Sequence, residues 1–228
     1  MRRPCRLFLF DLDGTLIDSR EDIARAANAA LTGLGHPPLS VPDLLPFVGD
    51  GINALIHRVL LNAGGTEPDS HRIAAGVELM LQAYNRHICD STRLYPGVRE
   101  TLDRLHWARF GLITNKPEAL TRRLLQVFDL ADRFSLVLGG DSLPQRKPDP
   151  APLLEAMART GIPPSETVMV GDSRTDVLAG KAAGVTTCGV SYGFRSREEL
   201  VAAGCDLIID EFAGLLQTFC APAASGPN

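Results

Sequence analysis

Four consecutive large apolar residues, Leu7-Phe8-Leu9-Phe10, run directly into Asp11-Leu12-Asp13-Gly14-Thr15. The run has no polar alternate, which marks a strand buried on both faces, as in parallel sheets covered by helices. Open parallel sheets bind ligands just beyond the carboxyl ends of their strands. Asp and Gly are also turn residues. Two carboxylates one residue apart at such an end, with further acidic and basic motifs downstream, point instead to a metal-assisted reaction.

From about Arg93 onward the pattern alternates. Residues 97–107, 117–129, 150–160 and 175–183 have helical character, while 110–114, 136–138, 167–171, 186–190 and 207–209 read as strands. Strands separated by helices of this length imply βαβ units, hence an α/β fold with a Rossmann-like, mostly parallel sheet as its core. Residues 18–88 differ. They give helices at 22–34 and 71–88, a short one at 39–46, and an apolar stripe of Ile52, Leu55, Ile56, Val59 and Leu60. The expected organisation is a catalytic core of residues 1–16 and 93–220 with an inserted all-helical cap at 17–92. The low-complexity tail 221–228 is expected to be disordered.

Composition narrows the function. With 228 residues, 45% of them hydrophobic, the chain can bury a core. A formal net charge of −4 with no dominant basic patch argues against a nucleic-acid partner. Met1-Arg2-Arg3-Pro4 resembles the start of a signal peptide, but the apolar run stops at Asp11, too soon for a signal core or membrane span. Five scattered cysteines with no Cys-x-x-Cys pair read as reduced thiols in a cytoplasmic protein. The histidines lack metal-ligand spacing, and His57 and His87 are expected at the surface or at helix caps.

The chemistry comes in four pieces. An ionised carboxylate needs no base to act as a nucleophile, so Asp11 or Asp13 suits attack on a phosphate ester. Unit charges ~4 Å apart at an effective dielectric near 20 repel by about 4 kcal/mol, so such a nucleophile needs cations around the phosphate. Mg²⁺, held by a few carboxylates and the phosphate itself, fits that need. Thr114-Asn115, at the end of the strand beginning near Phe110, can hold phosphoryl oxygens. A lysine is the third piece, and there are two candidates. Lys147 is favoured because Pro148 and Pro150 fix the backbone just before a helix, whereas Lys116 is either a second phosphate neighbour or a solvated loop lysine. The fourth piece is Gly171-Asp172-Ser173-Arg174-Thr175-Asp176. Asp172 comes first off its strand and is placed for the metal, with Asp176 and Ser173 as supporting groups at the helix start.

Together Asp11-x-Asp13-Gly14-Thr15, Thr114-Asn115, Lys147 and Gly171-Asp172-x-x-x-Asp176 resemble, in order, the four motifs of the haloacid dehalogenase-like superfamily. The helical insert resembles the cap of its first class. Val48-Gly49-Asp50-Gly51, Tyr95-Pro96-Gly97-Val98, Thr114-Asn115-Lys116-Pro117 and Ser191-Tyr192-Gly193-Phe194 make the chain similar to bacterial phosphoglycolate phosphatases. Phosphatases of N-acetylmuramic acid 6-phosphate and related phosphomutases look alike.

The resemblance implies a magnesium-dependent phosphomonoester hydrolase acting on a small phosphorylated metabolite, as a monomer or homodimer. It implies Asp11 as nucleophile and Asp13 as acid and base. Metal ligation would come from Asp11, the Asp13 carbonyl and Asp172, and phosphate contacts from Thr114, Asn115 and Lys147. A haloacid dehalogenase would need neither Asp13 nor Asp172. In the cap, Gly49, Asp50 and Gly51 can form a tight loop over the site. Arg58 and Arg20 are the candidate cations for a substrate carboxylate, although Arg58 reads more readily as a solvated residue opposite the stripe.

Overall fold

The computed structural model describes residues 2–222. The chain begins with three strands, β1 (Arg3–Pro4), β2 (Leu7–Phe10) and β3 (Ile17–Asp18). Four helices follow: α1 (Arg20–Gly33), α2 (Val41–Leu44), α3 (Ile52–Gly64) and α4 (Ser70–Arg86). The chain returns through β4 (Arg93–Leu94), then alternates through α5 (Val98–Arg104), β5 (Arg109–Ile113), α6 (Glu118–Val127), β6 (Leu136–Leu138), α7 (Ala151–Thr160) and β7 (Thr167–Gly171). It closes with α8 (Arg174–Ala182), β8 (Thr186–Val190), α9 (Arg197–Ala202), β9 (Leu207–Ile209), α10 (Leu215–Thr218) and β10 (Phe219–Cys220).

The central sheet is six-stranded in the order β6-β5-β2-β7-β8-β9, and every pairing in it is parallel. β2 is one of its two central strands. Its side chains alternate between two cores: Phe8 and Phe10 join the larger cluster, Leu7 and Leu9 the smaller one across the sheet. Phe10 packs edge-on against Phe110 and Phe134, so aromatic burial anchors the strand that ends in Asp11. Successive connections run from β2 to β5 and β6 on one side, then to β7, β8 and β9 on the other. The strand order therefore reverses beside β2, where such sheets form a crevice.

The helices α1, α3 and α4 pack on one another above this crevice. The apolar stripe drives the packing: Leu55, Ile56, Val59 and Leu60 are buried, while Ile52 is partly exposed and faces the crevice. The block joins the sheet domain through β3 and β4, which pair antiparallel, Ile17 with Leu94 and Asp18 with Arg93. Buried Asp22 near the start of α1 accepts hydrogen bonds from Ser91 N, Thr92 N and Thr92 Oγ1, so the departing and returning chains are clasped together.

Some local expectations change. The first cap helix starts at Arg20 instead of Asp22, and the helix expected over 97–107 ends at Arg104. The paired strands at 3–4 and 219–220, the strands at 17–18 and 93–94, and the helix at 197–202 carry too few residues for a period to be read. Of the expected tail, residues 223–228 lie outside the described residues. The five cysteines are free. His57 pairs with Glu67 and His87 with Asp90, as surface residues. Among the described residues, no helix is long and apolar enough to cross a membrane.

Candidate active site

Each motif leaves the carboxyl end of a parallel strand. Asp11 follows β2, Thr114 follows β5 and Asp172 follows β7, while Lys147 reaches in from the loop after β6. Lys147 is 3% exposed and its ammonium bonds Asp11 Oδ1 at 2.9 Å, Asp176 Oδ1 at 2.6 Å and the Ile113 carbonyl at 2.6 Å. Burial alone would lower this lysine, but the carboxylates of Asp11 and Asp176 outweigh it and hold the ammonium charged. Among the described residues, Asp11 Oδ2 accepts no hydrogen bond, so one carboxylate oxygen is fixed and the other is free.

Asp176 plays the supporting part expected of it. Its Oδ2 accepts from Ser173 N and Ser173 Oγ, completing a capping box at the start of α8. Gly171 leaves the room for this, since a Cβ there would lie 2.2 Å from the Asp176 carboxyl carbon.

Asp172 is buried and accepts from Phe194 N. Gly14 lies against it with φ +84°, and a Cβ there would sit 2.1 Å from Asp172 Oδ2. Gly14→Ala therefore combines left-handed backbone strain with a collision at a carboxylate. It is expected to cost about 1–3 kcal/mol of stability from strain alone, read by urea unfolding, together with a marked loss of turnover. Wild-type stability and rate in this variant would show that Asp172 has slack.

The charge of the cluster fits a divalent cation. Asp11, Asp172 and Asp176 each offer an oxygen within 4.8 Å of the others, and Lys147 is the one ammonium bonded among them. Burial pushes Asp11 up to about 6 and raises Asp172 well above the usual carboxylate range, the cost of crowding anions in a closed site. Both oxygens of Asp176 are already engaged, which leaves Asp11 and Asp172 as the side chains free to ligate. The Asp13 side chain is not part of this cluster.

Asp13 instead turns to Lys116 and Ser19. Lys116 Nζ bonds its two oxygens at 2.9 and 2.8 Å, and Ser19 Oγ donates to Oδ1 at 2.5 Å. Of the two readings of Lys116, the solvated loop lysine is overturned: it is 8% exposed and holds Asp13. The ammonium also lies 4.6 Å from the ring centroid of Tyr84, a fully buried residue on α4. The Tyr84 hydroxyl has no hydrogen-bond partner among the described residues, and burial pushes the phenol up to about 12, so it stays protonated.

The Asn115 side-chain amide donates to the carbonyls of Gly49 at 3.0 Å and Lys147 at 2.8 Å and ties loops together, so a phosphate contact from this residue falls to its backbone N–H. Thr114 Oγ1 accepts from Lys116 N, which leaves its hydroxyl proton free for another acceptor.

The pocket is about 60 Å³ and is lined by Asp11, Asp13, Thr114, Asn115, Lys116 and Asp172 from the core. Its roof is apolar, with Ile23, Val48, Ile52, Leu55 and Met80 beside Tyr84. Gly49 and Gly51 line it as expected. Asp50 and Arg58 do not: they pair with each other at 2.5 Å beside Arg146 and Pro148, in a separate surface groove. Arg20 is likewise engaged elsewhere, with Asp18 and Tyr95. Arg195, from the segment after β8, lines the pocket and reaches the loop before α3. It donates to the carbonyls of Leu45, Pro46 and Val48. Ser191-Tyr192-Gly193-Phe194 marked that segment without revealing the arginine beside it.

The model of the "Haloacid dehalogenase-like hydrolase" family matches residues 8–190, which include all four motifs. The chain belongs to this hydrolase family. Its relatives include a phosphoglycolate phosphatase of Chromobacterium violaceum, 43% identical over 208 residues that cover 90% of this chain and 92% of the relative. Another, from Neisseria meningitidis, is 47% identical over 187 residues, 81% and 80% of the two chains. A predicted phosphoglycolate phosphatase from Haemophilus somnus, solved by crystallography, superposes with a TM-score of 0.87 at 32% identity. That likeness covers 93% of this chain and 97% of the other.

Proposed function

We propose that this hydrolase is a magnesium-dependent phosphoglycolate phosphatase, which converts 2-phosphoglycolate to glycolate and phosphate through an aspartyl-phosphate. The observation that carries the reading is the pairing of two buried lysine–aspartate contacts at one small pocket, Lys147 with Asp11 and Lys116 with Asp13. Asp11 Oδ2 attacks phosphorus; a P–O bond to Asp11 forms as the bond to the ester oxygen breaks. Asp13 gives a proton to the departing alkoxide. It then takes one from the water that attacks the aspartyl-phosphate and releases phosphate. Asp11, Asp172 and the backbone carbonyl of Asp13 would hold Mg²⁺, which when bound supplies positive charge against the phosphoryl oxygens and the crowded carboxylates. Thr114 offers its hydroxyl and Lys147 its charge to the phosphoryl group, and residues 17–92 act as the cap that excludes water.

Pocket size favours a small alcohol. About 60 Å³ is far below the roughly 300–1,000 Å³ of pockets that enclose drug-sized ligands. That weighs against N-acetylmuramic acid 6-phosphate and against a phosphomutase, which must admit a sugar.

The test is phosphate release with Mg²⁺, with and without EDTA, from 2-phosphoglycolate, N-acetylmuramic acid 6-phosphate, hexose phosphates, pyrophosphate and nucleotides. The expected result is a dominant kcat/KM for 2-phosphoglycolate, abolished by EDTA and restored by excess Mg²⁺. A preference for a sugar phosphate would transfer the enzyme to the second reading, and activity indifferent to EDTA would remove the metal.

A further inference from the structure

The proposed substrate brings a phosphate and a carboxylate into a pocket already lined by Asp11, Asp13 and Asp172. Something must meet the second anion. Two cationic side chains line the pocket, Lys116 and Arg195. Both terminal nitrogens of Arg195 are spent on the carbonyls of Leu45, Pro46 and Val48, whereas Lys116, bonded to the two oxygens of Asp13, keeps a third N–H donor.

Position agrees with charge. In the proposed reaction Asp13 sits beside the ester oxygen, and Lys116 Nζ is 2.8 Å from Asp13 Oδ2. One methylene separates the ester oxygen of 2-phosphoglycolate from its carboxylate carbon, so the carboxylate is delivered to the Lys116 end of the pocket. The ring of Tyr84 lies under that ammonium, and its buried hydroxyl is a donor with no acceptor among the described residues. The remaining side chains of the cap wall are apolar and offer a carboxylate no charge and no hydrogen bond.

We propose that Lys116 and the Tyr84 hydroxyl form the subsite for the carboxylate of the leaving alcohol, a reading that rests on the function proposed above. Lys116 thereby serves two groups, positioning Asp13 and receiving the substrate, while Tyr84 makes the cap a chemical reader as well as a cover. A buried donor left unpaired in the free enzyme and paired by the correct substrate discriminates strongly against analogues that lack the partner.

The test compares kcat/KM for 2-phosphoglycolate with that for 2-hydroxyethyl phosphate, which keeps the ester and replaces the carboxylate with an alcohol. Tyr84→Phe retains the ring beneath Lys116 and removes only the hydroxyl. It is expected to lower the ratio of the two values about tenfold, the scale of a hydrogen bond to a charged group. Lys116→Gln is expected to lower the ratio at least as far and also to slow both substrates, because Asp13 loses its partner. If wild type prefers 2-phosphoglycolate but Tyr84→Phe leaves the ratio unchanged, the subsite is overturned and the function stands. If wild type itself shows no preference, the proposed substrate falls and the subsite with it.

Discussion

Asp11→Asn abolishes phosphate release, with an expected loss on the order of 10⁶-fold, the scale seen when an enzyme loses its nucleophile. The amide matches the carboxylate in shape but has no charge and no lone pair basic enough to displace an alkoxide. The fold is expected to survive. Lys147 keeps Asp176 at 2.6 Å and the Ile113 carbonyl at 2.6 Å, so its charge remains paired. Burial already pushes the Asp11 carboxyl up to about 6, so removing its charge relieves the crowding with Asp172 and Asp176. Thermal unfolding of the metal-free variant should match or exceed wild type, and intact-protein mass spectrometry after incubation with substrate should find no phosphorylated species. Normal turnover in this variant would remove Asp11 as the nucleophile.

Lys147→Met is expected to do more damage to the protein than Asp11→Asn. Methionine approximates the length and flexibility of the lysine stem but leaves buried carboxylates without their ammonium. Breaking a buried ion pair from one side costs about 3–5 kcal/mol, because the partner charge stays behind unpaired. The loss should appear in urea unfolding with EDTA present and should be partly recovered by Mg²⁺, which supplies positive charge to the same carboxylates. Turnover should remain far below wild type in either condition. Lys147→Arg is not expected to rescue it, since a planar fork cannot place one charge among Asp11, Asp176 and the Ile113 carbonyl as a compact ammonium does. Wild-type stability of Lys147→Met without metal would mean that the cluster does not depend on this lysine.

The residues legible in the sequence are those whose place follows from a strand end. Asp11 and Asp172 sit where apolar runs stop, and such runs can be read without knowing what packs on them. The stripe on α3 was equally readable, because a helical period reports a buried face whatever covers it. Lys116 was not readable, because its burial depends on Tyr84, and α4 reaches it only when the cap folds over the sheet. The loop-tying part of the Asn115 amide was not readable either, because Gly49 lies 66 positions away in sequence. Arg58 looked like a carboxylate reader because the cation it offers was visible and Asp50, which takes that charge, was seen only as a loop residue. For Lys116 and Asn115 the missing information was a partner distant along the chain, whereas for Arg58 it was Asp50, a near neighbour in sequence.

The core holds the loop above its pocket mainly by main-chain oxygens, with one side-chain contact, Thr175 Oγ1 to Asp50 Oδ1 at 3.4 Å. Arg195 takes the carbonyls of Leu45, Pro46 and Val48, and Asn115 takes that of Gly49. Every residue type carries such an oxygen, so these four bonds place little demand on the loop's side chains beyond the positive φ of Gly49 and Gly51. The helical block itself enters and leaves through neighbouring strands, Ile17 opposite Leu94 and Asp18 opposite Arg93. A lineage could therefore rewrite or replace the insert, and with it the choice of alcohol, while the carboxylates and lysines beneath go on cleaving the same bond.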